Sequence, residues 1–520
     1  GGFKLMMTKL TKEYLEVIND NHSLRRYLES LLVGKPFTER SWLYEEVENP
    51  DDVLDMWISK LDALQDGDKN LKNVYQFDIS QKEKWGPQGG VAPIDELFEE
   101  IVYQGFGEFS SPKAFTTTEW QKAKDVVVSK LFKAGICKLR PASYARVVDD
   151  MRARDTLESN SGWPLFSRRS VPEVKQQSIE AAENGLWKTY PAIALFRNYN
   201  NKTRLVWMFP MSANLVEGSF FQPLQSAIIK SDLGTKFFAP WVGFEQVRQS
   251  ITDAYSSGEY IAASDFSSTD AHFRLPTSME VCDVIEQCFQ ARYRNDLRES
   301  IMHMHNIPLV VGPDKMIVGD HGVSSGSNWT NFIETIFDWI LAEYVSILTD
   351  SRVKGLYAIG DDMSWVTTTY DDGLQRFLEE VGKSVGQVIK AEKTTNDQDK
   401  VKTLQRLFQR GYKRSSSNGL RGVYSTVRAL KSSIYPEKFH NPKKWSSDMF
   451  CARQFMILEN CVDHPLFEDF VKFVCKGNRH LIPFAQKKSS ELDEITRKTK
   501  LLPGFNPTYN QERKDSSLAT

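Results

Sequence analysis

Two groups of acids, far apart in the chain, define the most specific chemistry. Residues 260–265 form a β-type run that ends in Asp265, and Asp270 follows five residues later across a Ser/Thr-rich turn. An acid at a strand end lies where a buried sheet meets a cleft; the competing reading is a helix N-cap with Ser267 or Ser268 as companions. Further on, apolar runs at 356–359 and 363–366 flank Gly360-Asp361-Asp362. That is a hairpin signature in which glycine supplies the positive φ of a tight turn. The turn presents Asp361 and Asp362 at its tip, unless they are simply two solvated turn carboxylates. As a pair, Asp265 and Asp361 suit magnesium, which prefers hard oxygens, keeps several waters and binds through one or two carboxylates plus substrate phosphates. Two such ions, roughly 3.5–4 Å apart, serve phosphoryl transfer by activating the attacking oxygen and stabilising the leaving one.

Between these acids lies a Ser/Gly loop, 322–328, followed by a strongly periodic apolar stretch from Phe332 to Leu348. A flexible loop opening a helix lets backbone N–H groups approach a phosphate or nucleotide through Ser325 and Gly326, and Asn331 offers a donor and an acceptor. An ordinary N-capped core helix explains the same pattern. Upstream, residues 201–207 alternate as a strand would, which puts Lys202 and Arg204 on one face with Arg197 nearby. Aimed into a cleft, these cations would neutralise triphosphate charge; otherwise they are surface charge.

The chain that must position these groups has 520 residues, 41% hydrophobic and 12% aromatic, enough for several subdomains. Its mean hydropathy of −0.43, and the lack of an apolar run near 18 residues, predict no membrane span. No secretory pattern opens it, so a soluble intracellular protein is expected, and residues 1–6 are expected to be an appended leader ahead of a native start at Met7. Cys451, Cys461, His464 and Cys475 fit no common zinc framework, which favours buried free thiols. The net charge of −2 conceals an uneven distribution. Residues 400–444 carry twelve Lys or Arg against one acid, Glu437, while 45–68 carry nine acids against Lys60. The basic stretch could follow a phosphate backbone or form a solvated face.

In order and wording, these motifs resemble the RNA-dependent RNA polymerases of the picobirnavirus and partitivirus group of double-stranded RNA viruses, over residues 155–415. A basic strand is followed by Asp265-Phe266-Ser267-Ser268-Thr269-Asp270, then Ser325-Gly326-Ser327-Asn328-Trp329-Thr330-Asn331, then Gly360-Asp361-Asp362. The resemblance implies an α+β, largely helical fold, a closed right hand with fingers, palm (antiparallel sheet packed on helices) and thumb. It implies two Mg²⁺ ions, with Mn²⁺ as an alternative, held by Asp265, Asp361 and Asp362, and Lys393 as general acid for pyrophosphate departure. Asp270 and Asn331 would recognise the ribose 2′-hydroxyl. Ser325 and Gly326 would form a mobile loop beside the nascent pair, and Lys202, Arg204 and Arg197 would bind the triphosphate. Ser161, Gly162 and Pro164 would belong to template entry, and Arg410 to a primer-grip hairpin around 407–412. A loop at 432–442 offers Tyr435, Phe439 and His440 as a stacking platform for synthesis without a primer; packing of these rings into the thumb is the alternative.

The implied division is an acidic helical extension (1–75), fingers (76–260), a first palm segment (261–275), a fingers insertion (276–318), palm (319–412), thumb (413–505) and a flexible tail (506–520). Expected partners are the RNA template and product duplex, nucleoside triphosphates and a viral capsid protein, with no membrane. The expected locations are the virion interior and the host-cell cytoplasm. A reverse transcriptase would place a bulky side chain near the sugar's 2′-position, where this chain offers Asp270 and Asn331. A non-catalytic RNA-binding protein would explain the basic stretch but not the ordered carboxylates.

Overall fold

Among the described residues three sheets carry the strands, and each depends on helices to cover its apolar faces. The computed structural model describes residues 7–417 and 419–500; the expected leader at 1–6 and tail at 506–520 lie outside them. A four-stranded antiparallel sheet has the order β7 (Val353–Ile359), β8 (Asp362–Thr367), β4 (Tyr260–Asp265), β9 (Thr395–Asn396). A five-stranded sheet runs β1 (Met7–Lys9), β6 (Lys315–Ile317), β5 (Leu309–Val310), β2 (Ala192–Tyr199), β3 (Lys202–Met208). The third joins β10 (Lys400–Thr403), β11 (Arg406–Gln409) and β12 (Val423–Tyr424).

The helices that matter here are α1 (Lys12–Asp20), α2 (His22–Val33), α3 (Pro50–Leu61), α4 (Lys69–Ser80), α5 (Met211–Lys230), α6 (Phe244–Ser256), α7 (Trp329–Leu348), α8 (Thr426–Ile434), α9 (Ser447–Glu459) and α10 (Phe467–Cys475). Strand alternation sorts the four-stranded sheet into two apolar faces. Ala262, Ala358, Met363 and Trp365 join the main core with α7, whereas Ile261, Ala263, Tyr357 and Val366 pack with Phe244, Val247 and Ile251 of α6. Helix α7 is therefore buried nearly all round, not only along the predicted stripe, and Glu334, Thr335 and Asp338 are buried with it.

The predicted N-terminal extension does not stand apart. Strand β1 pairs with β6, and Leu24 and Leu28 of α2 join the main core. Trp57 of α3 and Phe77 of α4 instead enter a second core with Val427, Phe450 and Phe470 of α8, α9 and α10. The expected boundary after residue 75 falls inside α4, because that helix must continue to seat Phe77. No helix among the described residues is long and apolar enough to cross a membrane.

Candidate active site

The hairpin between β7 and β8 turns on two residues, since Ile359 pairs with Asp362. Gly360 takes φ +56° at the first loop position, where II′ turns place glycine. Its N–H donates to Thr335 Oγ1 of α7 at 2.9 Å, so the central helix sets the height of the turn. Asp265, at the end of β4, lies directly opposite Asp362 on β8. The Phe266 N–H donates to the Asp361 carbonyl at 3.0 Å, which ties the two acidic tips together.

Electrostatics show how close these groups stand. Burial, then Asp361 and Asp265, push Asp362 up to about 8. Asp361 is open to solvent at the tip although protein surrounds most of it; this enclosure and then Asp265 raise its pKa. Asp265 is raised by burial, with Lys393 and then Lys390 opposing. Asp270 likewise keeps water contact within an enclosing cleft; the enclosure and then Asp361 raise it, and Lys202 lowers it. Asn331 is exposed in the first turn of α7, and its amide nitrogen lies 3.1 Å from where a Cβ on Gly360 would stand. Asp265, Asp361, Asp362, Asp270 and Asn331 thus gather around one turn, with Lys393 on one side and Lys202 on the other.

The Ser/Gly loop is docked on β3. Ser325 is exposed and donates its hydroxyl to the Leu205 carbonyl at 3.2 Å. A Cβ at Gly326 would stand 1.5 Å from the Trp207 carbonyl, so only glycine permits this approach. Beneath the loop, Glu217 of α5 accepts from the Ser327 hydroxyl, the Asn328 N–H at 2.9 Å and the Asn214 amide at 2.9 Å. It places a carboxylate at the N-terminus of α7. Burial raises Glu217 to about 7 against these bonds. Nothing in the linear pattern marked it, because α5 reads as an apolar helix.

Two more acids lie beneath the hairpin. Glu334 and Asp338 stand one turn apart in an otherwise apolar helix, and both are buried under the Gly360 hairpin. Burial first, then the neighbouring carboxylates, hold both pKa values well above the usual range. Neither Asp338 carboxyl oxygen has a hydrogen-bond partner. A raised pKa means that the folded chain keeps a proton which the unfolded chain releases near neutrality, so stability falls as pH rises from the ordinary carboxylate range. Asp338→Asn, in metal-free buffer, is therefore expected to melt above the parent protein by a margin that widens from pH 5 to pH 8. A constant margin in calorimetry would show that Asp338 is ionised in the folded chain over that range, with no raised pKa.

Several predicted contacts are spent inside the protein. Arg197 lies opposite Arg204 in the hairpin, but its guanidinium grips Glu437 through two bonds of 2.9 and 2.7 Å. It is a strut to the C-terminal layer rather than a free triphosphate ligand. Arg410 donates to the carbonyls of Tyr255, Glu259 and Gln398 and to Asp399, and stacks over Tyr255 at 4.5 Å. With its donors occupied it clamps the hairpin to α6 and β4, and the hairpin itself is 400–409 rather than 407–412. Ser161 and Gly162 are buried, and Ser161 accepts from the Met211 N–H at the start of α5. They form a packing turn, with Pro164 half-buried beside a small surface cavity, rather than a template contact. His440 stacks on Trp445 at 4.1 Å and Tyr435 packs edge-on to Trp85 at 5.5 Å, so neither is a free platform; Phe439 alone of the three is exposed, at 51%. The basic stretch is also partly internal: Arg406 is buried against Asn460, and Arg414 pairs with Asp463.

A carboxylate hairpin set against a strand-end acid, on an antiparallel sheet backed by helices, is an arrangement that suits a template-directed polymerase. Residues 199–424 match the family model for viral RNA-dependent RNA polymerase, and the chain is an RNA-directed RNA polymerase. It is 26% identical over 497 residues to a potential RNA-dependent RNA polymerase of human picobirnavirus, covering 88% of this chain and 86% of that one. A shorter match, 25% identical over 167 residues, is to an RNA-directed RNA polymerase of Cryptosporidium parvum virus 1, covering 31% and 32% of the two chains. The crystal structure of a human picobirnavirus RNA-dependent RNA polymerase superposes with a TM-score of 0.80 at 22% identity over 95% of each chain. An insertion-loop deletion mutant of such a polymerase gives 0.79 at 23% identity, over 95% of this chain and 97% of that one. The α+β polymerase fold expected from the sequence is the fold observed.

Proposed function

We propose that the chain replicates and transcribes the genome of a double-stranded RNA virus, joining ribonucleoside triphosphates on an RNA template by two-metal-ion phosphoryl transfer. The observation that carries this reading is the convergence of Asp265, Asp361 and Asp362, with Asp265 directly opposite Asp362 and raising the pKa of both hairpin acids. Among the described residues no three acid, imidazole or thiol side chains form a complete metal cage. Magnesium takes one or two carboxylates from protein and its other ligands from phosphate and water. Asp265 and Asp361 would hold magnesium or manganese, with Asp362 between them in support. When bound, the metals supply charge neutralisation at the attacking and leaving oxygens. Lys202 and Arg204 orient the triphosphate, and Lys393, exposed beside Asp265, is positioned to give a proton to departing pyrophosphate. The test is incorporation of labelled nucleotides on a single-stranded RNA template with magnesium; a pure chain inactive with either metal would overturn the reading.

Asp270 and Asn331 select ribose in this scheme. An acceptor beside the 2′-hydroxyl gains a hydrogen bond only from the ribonucleotide. Asp270→Ala is expected to lower the ribo-over-deoxyribonucleotide preference by about 10–100-fold, as for a site that loses its partner to a substrate hydroxyl. An unchanged ratio of kcat/KM values would make Asp270 a cap of its short helix instead. Synthesis starts without a primer, and the exposed ring of Phe439 supports it as the stacking platform. A capsid protein as partner, with the virion interior and host cytoplasm as locations, follows from the same reading.

A further inference from the structure

The Ser/Gly loop at 322–328 lies in a cradle built from one continuous stretch of chain, the end of β3 and the start of α5. On the β3 side stand the Leu205 carbonyl, which accepts from Ser325, and the Trp207 carbonyl, which leaves no room for a Cβ at Gly326. On the α5 side Asn214 Nδ2 donates to the Gly326 carbonyl at 3.2 Å and to Glu217 Oε1 at 2.9 Å. Glu217 in turn accepts the Ser327 hydroxyl on Oε2 and the Asn328 N–H on Oε1. The consecutive residues 326–328 are thus held by two side chains one turn apart on α5.

Capping a helix does not require this arrangement. Helix α7 has Asn328 at its N-cap, a residue type that ordinarily caps with its own side chain. Here that side chain makes no cap bond and donates to the Asn214 carbonyl at 3.2 Å. The first N–H groups are served instead by Ser327 Oγ, 3.1 Å from the Trp329 nitrogen, and by a carboxylate 111 residues away in sequence and only 2% exposed. Burying a carboxylate is costly, and a serine or asparagine cap would satisfy the helix without that cost. What the remote acid adds is a fixed relation between the loop and α5. Arg169 reinforces it: the guanidinium donates to Asn214 Oδ1 at 2.8 Å and to the Asn160 carbonyl at 3.2 Å, and its charge favours the ionised form of Glu217. Asn331 lies one turn beyond Asn328, beside Gly360, so the bond at Asn328 also sets where the Asn331 amide stands.

We propose that Glu217, seated by Asn214 and Arg169, is a positioning residue for nucleotide selection: it holds the loop and the first turn of α7 where Ser325, Gly326 and Asn331 meet the incoming ribonucleoside triphosphate. Glu217 touches no substrate and acts through the loop. The inference rests on the polymerase reading above. Without this carboxylate the loop keeps its β3 contacts but loses its main anchor on α5, and Asn331 shifts with it. Nucleotide affinity and sugar choice then suffer together, whereas Asp265, Asp361 and Asp362, carried by other elements, stay in place.

The test is steady-state incorporation by the full chain on a single-stranded RNA template with magnesium. It uses a ribonucleoside triphosphate and its 2′-deoxy counterpart, with RNA affinity and melting temperature measured alongside. Glu217→Ala is expected to raise nucleotide KM by about 10-fold and to lower the ribo-over-deoxyribonucleotide preference by about 3–10-fold, within the range for a displaced positioning group. Its kcat should stay within about threefold of the parent and its RNA affinity within about twofold. Glu217→Gln is isosteric and keeps an acceptor for Asn214 and Asn328, so it should recover most of both losses. Ser327→Ala removes one loop donor and should raise KM by about threefold; added to Glu217→Ala it should change little more, because the two act through one contact. Uniform loss of kcat, RNA affinity and melting temperature in Glu217→Ala, with unchanged sugar preference, would make Glu217 a structural cap and overturn the proposal. A Gln variant as impaired as the Ala variant would overturn it too, since the bonds would then be present without their effect. Should Glu217→Ala fail to fold, parental KM and sugar preference in Ser327→Ala decide against it. An inactive parent would sink the polymerase reading itself, whereas an active parent whose variants keep parental KM sinks only this inference.

Discussion

Asp361→Asn is expected to reduce nucleotide incorporation by about 10³-fold or more while RNA binding stays close to that of the parent. The magnitude is what loss of one preorganised charge partner of the transition state costs, and it is larger where a metal is lost with it. Folding should not suffer. Asp361 stands at an exposed hairpin tip, and its charge raises the pKa values of Asp270, Asp362, Glu334 and Asp338. Removing that charge relieves repulsion, so without metal the variant should melt no lower than the parent. Added magnesium should then raise the melting temperature of the parent more than that of the variant. Parallel melts and incorporation assays, with and without magnesium, measure both effects. Near-parental synthesis by Asp361→Asn would remove Asp361 from the metal site, and an unfolded variant would show that the turn had depended on its carboxylate.

The parts of this site that were legible in the sequence are those whose geometry is local. Gly360 needs a positive φ within its own turn, and the β-type run at 260–265 alone puts Asp265 at a strand end. Ser325 and Gly326 open a helix whose apolar period is plain. The misread residues are those whose partners lie far along the chain. Arg197 and its acceptor Glu437 are 240 residues apart, and Arg410 reaches back 155 residues to Tyr255. A free cation and a strut look alike until that partner is known. The rings at 435 and 440 were ambiguous for a related reason, since Trp85 covers Tyr435 and Trp42 meets His440 only once the N-terminal segment lies on the C-terminal helices.

Glu334 and Asp338 teach a different point. An apolar stripe from Phe332 to Leu348 predicts a polar side for α7, where acids one turn apart would meet solvent. Helix α7 has no polar side, because the four-stranded sheet covers one flank and other helices cover the rest. Two acids in a helix with so many large apolar residues, just ahead of Gly360-Asp361-Asp362, were the available signal for a second tier of carboxylates.

That long-range folding, N-terminal helices onto C-terminal ones, has a buried carboxylate among its polar contacts, and Asp78→Ala is expected to break it. Asp78 lies in the last turn of α4 and is 0% exposed. It accepts from the Ser425 hydroxyl at 2.6 Å, the Thr426 hydroxyl at 2.6 Å and the Val427 N–H at 2.9 Å, and His464 Nε2 is 2.8 Å away. The Trp57 indole of α3 completes the knot by donating to Thr426 Oγ1 at 2.8 Å. One carboxylate thus caps α8 and joins both ends of the chain. Alanine leaves two hydroxyls, an N–H and an imidazole buried without their acceptor, a change that costs about 3–5 kcal/mol. Against a total stability of about 5–15 kcal/mol, that is enough to open the C-terminal layer. Burial alone would raise the Asp78 pKa, but the bonds from His464, Ser425 and Thr426 outweigh it and leave the carboxylate below its ordinary value. A depressed folded pKa contributes stability that is present above the unfolded value and lost as pH falls through the folded one. The gap in melting temperature between parent and Asp78→Ala should therefore be full at neutral pH and close on acidification below the ordinary carboxylate range. Trp57, buried in that core, gives a fluorescence readout of the transition. A variant that melts with the parent at pH 7 would mean that apolar packing of Trp57, Phe77 and Phe470 holds the two ends together without the carboxylate.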